Sequence, residues 1–341
     1  MALTVRPVNL DTEREELLAV LEQNLTDLPH GRRFKWLYHD HPEGPAWAWF
    51  VCDRASGRVH GVASVFRRVL WLGPRVSLCG QVGDFAIDAG HRSLGPALML
   101  QRATFEPVDQ GRLALCYDCP PHERGMSTFR RLGMTASAAL ARHARLLRTD
   151  RQLAARLGPV GRALAPAGNA VLRAAGAGRR VRAAGVEVAR LDGRFDDEFS
   201  ALDRRVGAAD AIRGRRSAAD LNWRYRDDPL HDYVTLTARR RGELIGFAVL
   251  SLGQRDALVV DVFGEPAAAL ALLEGSADEA RAAGAETLHL SVSDGSGLTA
   301  HLGRAGFRRR EDGPRVVPYP RALSEAERPR PWSLTHADVM A

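Results

Sequence analysis

Cysteine is scarce in these 341 residues. Cys52, Cys79, Cys116 and Cys119 are too few for a disulfide scaffold of this length and suit a reduced setting. Cys116-Tyr-Asp-Cys119 has the C-x-x-C spacing, but Pro120 and Pro121 follow where a redox motif would open a helix. No second cysteine pair completes a zinc set, so no metal is expected. No apolar run approaches the roughly 18 residues of a membrane span. The N-terminal Met-Ala-Leu-Thr-Val-Arg lacks the apolar core of a signal peptide, so a cytoplasmic protein is expected. Gly176-Ala-Gly178 is too incomplete for a dinucleotide loop. Acidic residues are absent from Arg151 to Val186, where seven Arg stand among many Ala and Gly.

What is present is an ordinary globular composition, 45% hydrophobic and 26% charged, in a chain long enough for two domains. Lys plus Arg number 48 against 41 Asp plus Glu, a formal charge of +7. That balance favours anionic partners, whether a phosphorylated cofactor, a nucleotide-linked substrate, nucleic acid or an anionic surface, without choosing among them.

An internal repeat sets the organisation. Phe34-Lys-Trp36-Leu-Tyr38-His-Asp40-His-Pro42 recurs as Leu221-Asn-Trp223-Arg-Tyr225-Arg-Asp227-Asp-Pro229, with Trp, Tyr, Asp and Pro at one constant offset. Each copy precedes two apolar strands joined by a polar turn: Trp47 to Cys52 with Val59 to Val65, and Tyr233 to Ala238 with Leu244 to Leu250. Phe129-Arg-Arg-Leu-Gly133-Met134 finds an echo in Leu302-Gly-Arg-Ala-Gly306-Phe307. A repeat of this length predicts two domains of one fold rather than a solenoid.

Each half reads as strand, helix, hairpin, long strand, helix, strand, helix and closing strands, a mixed α/β (α+β) arrangement. The expected divisions are a domain over residues 1–148, an Arg/Ala-rich helical linker over 149–185, a second domain over 186–320 and a polar, extended tail over 321–341. In the linker, Leu153, Leu157, Val160 and Leu164 have helical spacing, interrupted by Pro159, Pro166 and Gly176 to Gly178. Its charge makes it either a solvated connector or a positive wall facing a phosphorylated ligand.

The best chemical motif follows the long strand of the first half. Val82-Gly-Asp84-Phe-Ala-Ile87-Asp88-Ala-Gly90-His-Arg92-Ser-Leu-Gly95-Pro96-Ala97 runs from strand through a tight turn into an apolar helix. Gly90 and Gly95 permit backbone shapes that a side chain would obstruct, and Pro96 suits a first helical turn. Free backbone N–H groups and the helix dipole there favour an anion such as a pyrophosphate, and Arg92 adds a positive charge.

Arg92-Ser93-Leu94-Gly95-Pro96-Ala97 resembles the acyl-CoA-binding signature of the GNAT (N-acetyltransferase) superfamily at every fixed position. Phe129 to Met134 is similar to the family's second signature, and Cys119-Pro-Pro-His-Glu-Arg124 to the turn before it. The resemblance implies two GNAT-like domains in tandem joined by the basic linker. It implies an acyl-CoA, acetyl-CoA first, as donor, a small-molecule amine as acceptor, and transfer between them without a metal. It puts Phe85, Ala86 and Ile87 against the pantetheine arm and the Arg92-to-Ala97 turn against the pyrophosphate, with backbone amides steadying the oxyanion. The second half departs from the pattern: Gly264-Glu265-Pro266 is short, lacks the Arg or Gln, and brings a negative charge, which implies a copy that does not bind coenzyme A.

The family's usual acid, a Tyr, is replaced here by Phe129 and, in the second half, by Leu302. Tyr117 lies nearby in sequence as an alternative acid. Asp84, on the cofactor strand, is the leading candidate base or else a structural carboxylate, and His122 could bind or deprotonate the acceptor. Trp36 and Tyr38 with Trp223 and Tyr225 either line a groove or pack. Two other functions share the fold: transfer of an amino acid from aminoacyl-tRNA, for which the basic linker would suit RNA, and a non-catalytic acyl-CoA sensor.

Overall fold

Alternation of apolar and polar residues produces strands where the hairpins are expected, and the computed structural model describes residues 2–120, 123–182, 185–208, 210–320 and 330–339. The first half contributes strands β1 (Leu3–Pro7), β2 (Trp47–Asp53), β3 (Val59–Leu72), β4 (Arg75–Ile87), β5 (Leu115–Asp118) and β6 (Ala138–Leu146). The second contributes β7 (Glu187–Arg190), β8 (Ile212–Gly214), β9 (Val234–Arg240), β10 (Glu243–Leu252), β11 (Asp256–Gly264), β12 (Thr287–Ser293) and β13 (Arg308–Pro320). The helices are α1 (Arg14–Asn24), α2 (His30–Phe34), α3 (Leu94–Ala103), α4 (Glu106–Asp109), α5 (Glu123–Arg131), α6 (Asp150–Arg182), α7 (Asp197–Val206), α8 (Ala218–Tyr225), α9 (Pro266–Ala282) and α10 (Thr299–Leu302).

All the strands join one 13-stranded mixed sheet, in the order β1-β2-β3-β4-β5-β13-β6-β12-β11-β10-β9-β7, with β8 pairing β3. Two strands change sides. β13, from the end of the second half, pairs antiparallel with β5, placing Val317 opposite Asp118. β6, from the first half, pairs antiparallel with β12, from Thr287 opposite Leu146 to Ser293 opposite Leu140. β13 and β6 also pair with each other, so each half is closed by a strand from the other.

Helices cover both faces. Leu17 and Leu21 of α1 pack with Phe50, Val62 and Phe66, while Leu100 and Ala103 of α3 pack with Trp49, Val51 and Ala63 on the opposite face. In the second half α9 lays Ala268, Leu272, Ala277 and Ala280 on β10 and β11. The close approach of β11 to β10 requires glycine at 264: φ is +147°, and a Cβ would stand 2.4 Å from the Ile245 carbonyl oxygen. An ion pair ties the exchanged strand to its host. Both Nη atoms of Arg145 on β6 donate to Glu274 of α9, at 2.8 and 2.9 Å, with both side chains almost fully buried.

The linker is helical over Asp150–Arg182, and its Leu157, Val160 and Leu164 are all about half-exposed or more. Gly158 has a left-handed φ of 56° and kinks α6, so residues before and after it do not share a face. Ala165 and Asn169 are its buried contacts instead, and Asn169 accepts from the Thr149 backbone N–H at 2.7 Å. In the described part of the tail, residues 330–339, Trp332, Leu334 and Ala337 are buried.

Removing one partner of a buried ion pair leaves an uncompensated charge. Glu274→Ala should therefore destabilise the chain by about 3–5 kcal/mol, and Arg145→Met with Glu274→Leu by much less. Urea unfolding of the three proteins checks this.

Candidate functional site

The repeated Trp and Tyr meet where the halves touch. The Trp36 and Trp223 rings stack with centroids 4.9 Å apart. Each indole N–H donates to the other tryptophan's backbone carbonyl, Trp36 at 2.7 Å and Trp223 at 3.0 Å. This reciprocal pair packs the two halves together at a pseudo-two-fold contact.

Tyr38 and Tyr225 each anchor a buried triad. The Tyr38 hydroxyl donates to Asp84 Oδ2 at 2.8 Å, and Arg33 donates to Asp84 Oδ1. In the second half the Tyr225 hydroxyl donates to Asp261 Oδ2 at 3.0 Å, and Arg216 donates to both oxygens of Asp261. Of the two roles open to Asp84, base or structural carboxylate, its surroundings favour the structural one. It is 8% exposed, both its oxygens already accept hydrogen bonds, and its triad recurs in the half that lacks a counterpart of the Arg92 turn. Its second feature is conformational. Asp84 has φ +46°, which Asp tolerates better than most residues, and it stands at the irregularity where the register of β4 against β3 shifts.

Beyond that bend β4 and β5 part. Their parallel pairing covers only Gly80 with Cys116 and Gln81 with Tyr117. The β5-facing edge of Val82 to Ile87 therefore has no strand partner among the described residues, while Ala86 and Ile87 still pair with Val62 and Gly61 of β3 on the other edge. Phe85 stays half-buried. The wedge opens toward the turn: Ala89 to His91 form one 3-10 turn and α3 begins at Leu94, preceded by Ser93 in extended backbone. Arg92, Ser93 and Gly95 are exposed. A Cβ at Gly95 would meet nothing within 4 Å, so the first turn of α3 faces open space. Its leading N–H groups lack intrahelical acceptors, and Pro96 removes one that would otherwise need satisfying. The Arg92 Nε donates to the Ile87 carbonyl at 2.9 Å and its Nη2 to Asn24 Oδ1 at 3.2 Å, which holds the guanidinium on the turn.

The second half has the same wedge, filled. β11 and β12 pair only from Asp256 with Thr287 to Val259 with Leu290. Between their diverging ends lies the chain's own segment 330–339. Thr335 Oγ1 donates to Asp261 Oδ1 at 2.9 Å, Thr335 bridges to Val292, and the Ser293 N–H donates to the Leu334 carbonyl at 3.0 Å. Glu265, at the place of the turn, is ion-paired with Arg205 at 3.0 Å.

The other sequence candidates fall as follows. Tyr117 is 1% exposed, its hydroxyl donates to the Asp338 carbonyl at 2.9 Å, and burial pushes its pKa up. Its proton is committed inside the core, which corrects its reading as an acid. Phe129 packs with Phe105, Met126 and Val317. His122 lies outside the described residues. Burial raises the thiols of Cys116 and Cys119, the opposite of a redox pair. Sequence reasoning missed Asp118. It ends β5 at the mouth of the wedge, half-buried, and desolvation raises its carboxyl from 3.8 to about 7. Its signal was a lone carboxylate closing the apolar run Leu115-Cys-Tyr117. A narrow polar crevice beside Tyr117 is lined by His41, Arg68, Trp223, Arg224 and Asp338.

No protein-family model matches the chain, and no curated protein matches it in sequence. Solved structures do match in fold. A GCN5-related N-acetyltransferase from Anabaena variabilis ATCC 29413 superposes with TM-score 0.66 at 11% identity, over 93% of this chain and 72% of that one. A GCN5-related N-acetyltransferase from Kribbella flavida gives TM-score 0.61 at 16% identity, over 93% and 71%. A tandem GNAT protein from the clavulanic acid biosynthesis pathway gives TM-score 0.59 at 14% identity, over 95% and 100%. The fold is the tandem GNAT fold.

His41 generates a pH prediction. It is 6% exposed, and burial, then Arg68 and Arg224, lower its pKa from 6.5 to about 2. A depressed folded-state pKa means that the unfolded chain takes up a proton which the folded chain refuses. The associated stability is present above pH 6.5 and is lost as pH falls, at about 1.4 kcal/mol per unit. His41→Asn should lack this loss between pH 6.5 and 5, seen as a flatter pH dependence of the urea midpoint than in the parent.

Proposed function

We propose that the chain transfers an acyl group, acetyl first, from a coenzyme A thioester to the amine of a small molecule, using the first half alone for the cofactor. The observation that carries this reading is the contrast between two wedges of one fold. The β4–β5 wedge is open and ends in the Arg92-to-Ala97 turn. The β11–β12 wedge holds the chain's own residues and ends in Glu265. The pantetheine arm would add to the free edge of Phe85 to Ile87, and the pyrophosphate would sit on the first turn of α3 with Arg92 beside it.

Acyl transfer requires the attacking amine to lose a proton. Asp118 supplies the base in this reading. A carboxyl held near 7 is half-ionised at neutral pH, where a base combines the right protonation state with sufficient proton affinity. The tetrahedral intermediate's oxyanion would take hydrogen bonds from backbone N–H groups at the bend of β4. With Phe129 at the usual Tyr position, the thiolate leaves without that acid.

Turnover of acetyl-CoA with a panel of amines, followed by release of the coenzyme A thiol, tests the activity. Cofactor binding without amine-dependent release would favour the sensor. Arg92→Ala should raise the cofactor dissociation constant about ten- to a hundredfold, as loss of one charge-assisted contact does. Asp118→Asn should lower kcat by about a hundred- to ten-thousandfold with binding intact and remove the fall in rate below pH 7. Normal turnover by a folded Asp118→Asn protein eliminates it as the base.

A further inference from the structure

We propose that His60, Asp88 and His91 form a site for one divalent transition-metal ion of the zinc class, on the flank of the cofactor turn. His60 stands at the start of β3, and Asp88 and His91 lie just past the end of β4. A backbone hydrogen bond from the Asp88 N–H to the His60 carbonyl, 2.8 Å, brings them together. One ligand atom from each of the three side chains lies within 4.8 Å of the others. His60 Nδ1 is 3.6 Å from Asp88 Oδ2, and the two imidazole rings stack at 3.7 Å. Zinc bonded at about 2.0–2.2 Å in a tetrahedron holds its ligand atoms roughly 3.3–3.5 Å apart. Stacked rings aim their in-plane lone pairs nearly parallel, so half-exposed His91 must swing out of the stack for its nitrogen to converge with His60 and Asp88 on one ion.

His60 is the second, independent observation. It is 2% exposed, and neither ring nitrogen has a hydrogen-bond partner. Imidazole is costly to bury in that condition. The fold itself does not demand it. In the second half the Glu265 N–H donates to the Ile245 carbonyl at 2.8 Å, the counterpart of the Asp88–His60 bond, and Ile245 is buried at 3% exposure. An apolar residue thus fills the same place where no ligand partners surround it. Two imidazoles and one carboxylate suit zinc or cobalt better than calcium or magnesium, which prefer oxygen. Asp88 and His91 are half-exposed, leaving an entry path and room for a water as fourth ligand.

The outer contacts fit too. Asn24 Nδ2 donates to Asp88 Oδ1 at 3.1 Å, which leaves Oδ2 turned to His60. The same Asn24 accepts from Arg92 Nη2 at 3.2 Å. A bound ion would fix Asp88, through it Asn24, and through that Arg92. Metal binding then tightens coenzyme A binding, and by linkage the cofactor tightens metal binding by the same factor. This coupling rests on the proposed function; the metal site does not.

The full chain, stripped with a chelator, is titrated with zinc chloride and cobalt chloride. We expect one equivalent bound by calorimetry, visible absorption of tetrahedral cobalt, and a rise in melting temperature with zinc. His60→Ile, which installs the residue of the second half, should abolish uptake in a folded protein. His91→Ala, at a half-exposed position, should weaken zinc binding at least tenfold, and Asn24→Ala about ten- to a hundredfold. No uptake by the parent protein, or undiminished uptake by His91→Ala, overturns the site. The coenzyme A dissociation constant, measured with and without zinc, should differ about fivefold or more. Failure to bind coenzyme A under either condition refutes the functional reading and leaves the metal titration to judge the site. Equal cofactor affinity in both refutes the coupling.

Discussion

The exchange of β6 and β13 is the constraint on which the rest depends. A parallel strand such as β5 ends a sheet unless something pairs with its outer edge, and an unpaired edge is a liability. Here the partner of β5 is β13, from residues 308–320. Because β13 also pairs with β6, and β6 with β12, one ladder runs through both halves. Asp118 is held opposite Val317 by this pairing. The wedge beside it therefore owes one wall to the first half and its backing to the second.

The two halves use one architecture for two ends. Both have a Tyr–Asp–Arg triad under the bend of the central strand, and both have strands that part beyond it. In the first half the space stays open and leads to a turn with a positive charge. In the second, segment 330–339 takes up the hydrogen bonds of the parted strands, and Arg216, bonded to Asp338 at 2.8 Å, ties that segment into the buried triad. What distinguishes the halves is that the second half's parted strands bond to the chain's own segment, while the β5-facing edge of Val82 to Ile87 has no strand partner among the described residues.

Much of this was legible in the sequence because it is local. The hairpins, the long strand into the Arg92 turn and the helical linker all write themselves in periodicity and in Gly and Pro placement. The equivalence of Trp36 with Trp223 follows from a constant offset. The exchange of strands was not legible, because β6 and β13 each suit an antiparallel neighbour and nothing in either names which. The tail was read as extended from its polar residues and prolines, yet Trp332 and Leu334 find their contacts only once both halves have formed. The role of Asp84 stayed open between base and structural carboxylate for a related reason: its position on β4 is visible in the chain, but the Arg33 and Tyr38 that occupy its oxygens come from elsewhere in the sequence. Asp118 and the His60–Asp88–His91 cluster were missed because burial and cross-strand proximity, not spacing, single them out.

The exchanged strands also impose an order in time. β6 emerges from the ribosome with the first half, but one of its partners, β12, and the strand that completes β5, β13, are made much later. Until then β5 presents a bare edge and Arg145 has no Glu274 to meet. Long-range pairings of this kind are slow to form, and they leave a half-made chain open to wrong partners. For this protein the β4–β5 wedge cannot acquire its final backing while the first half stands alone, because β13 is the last strand made.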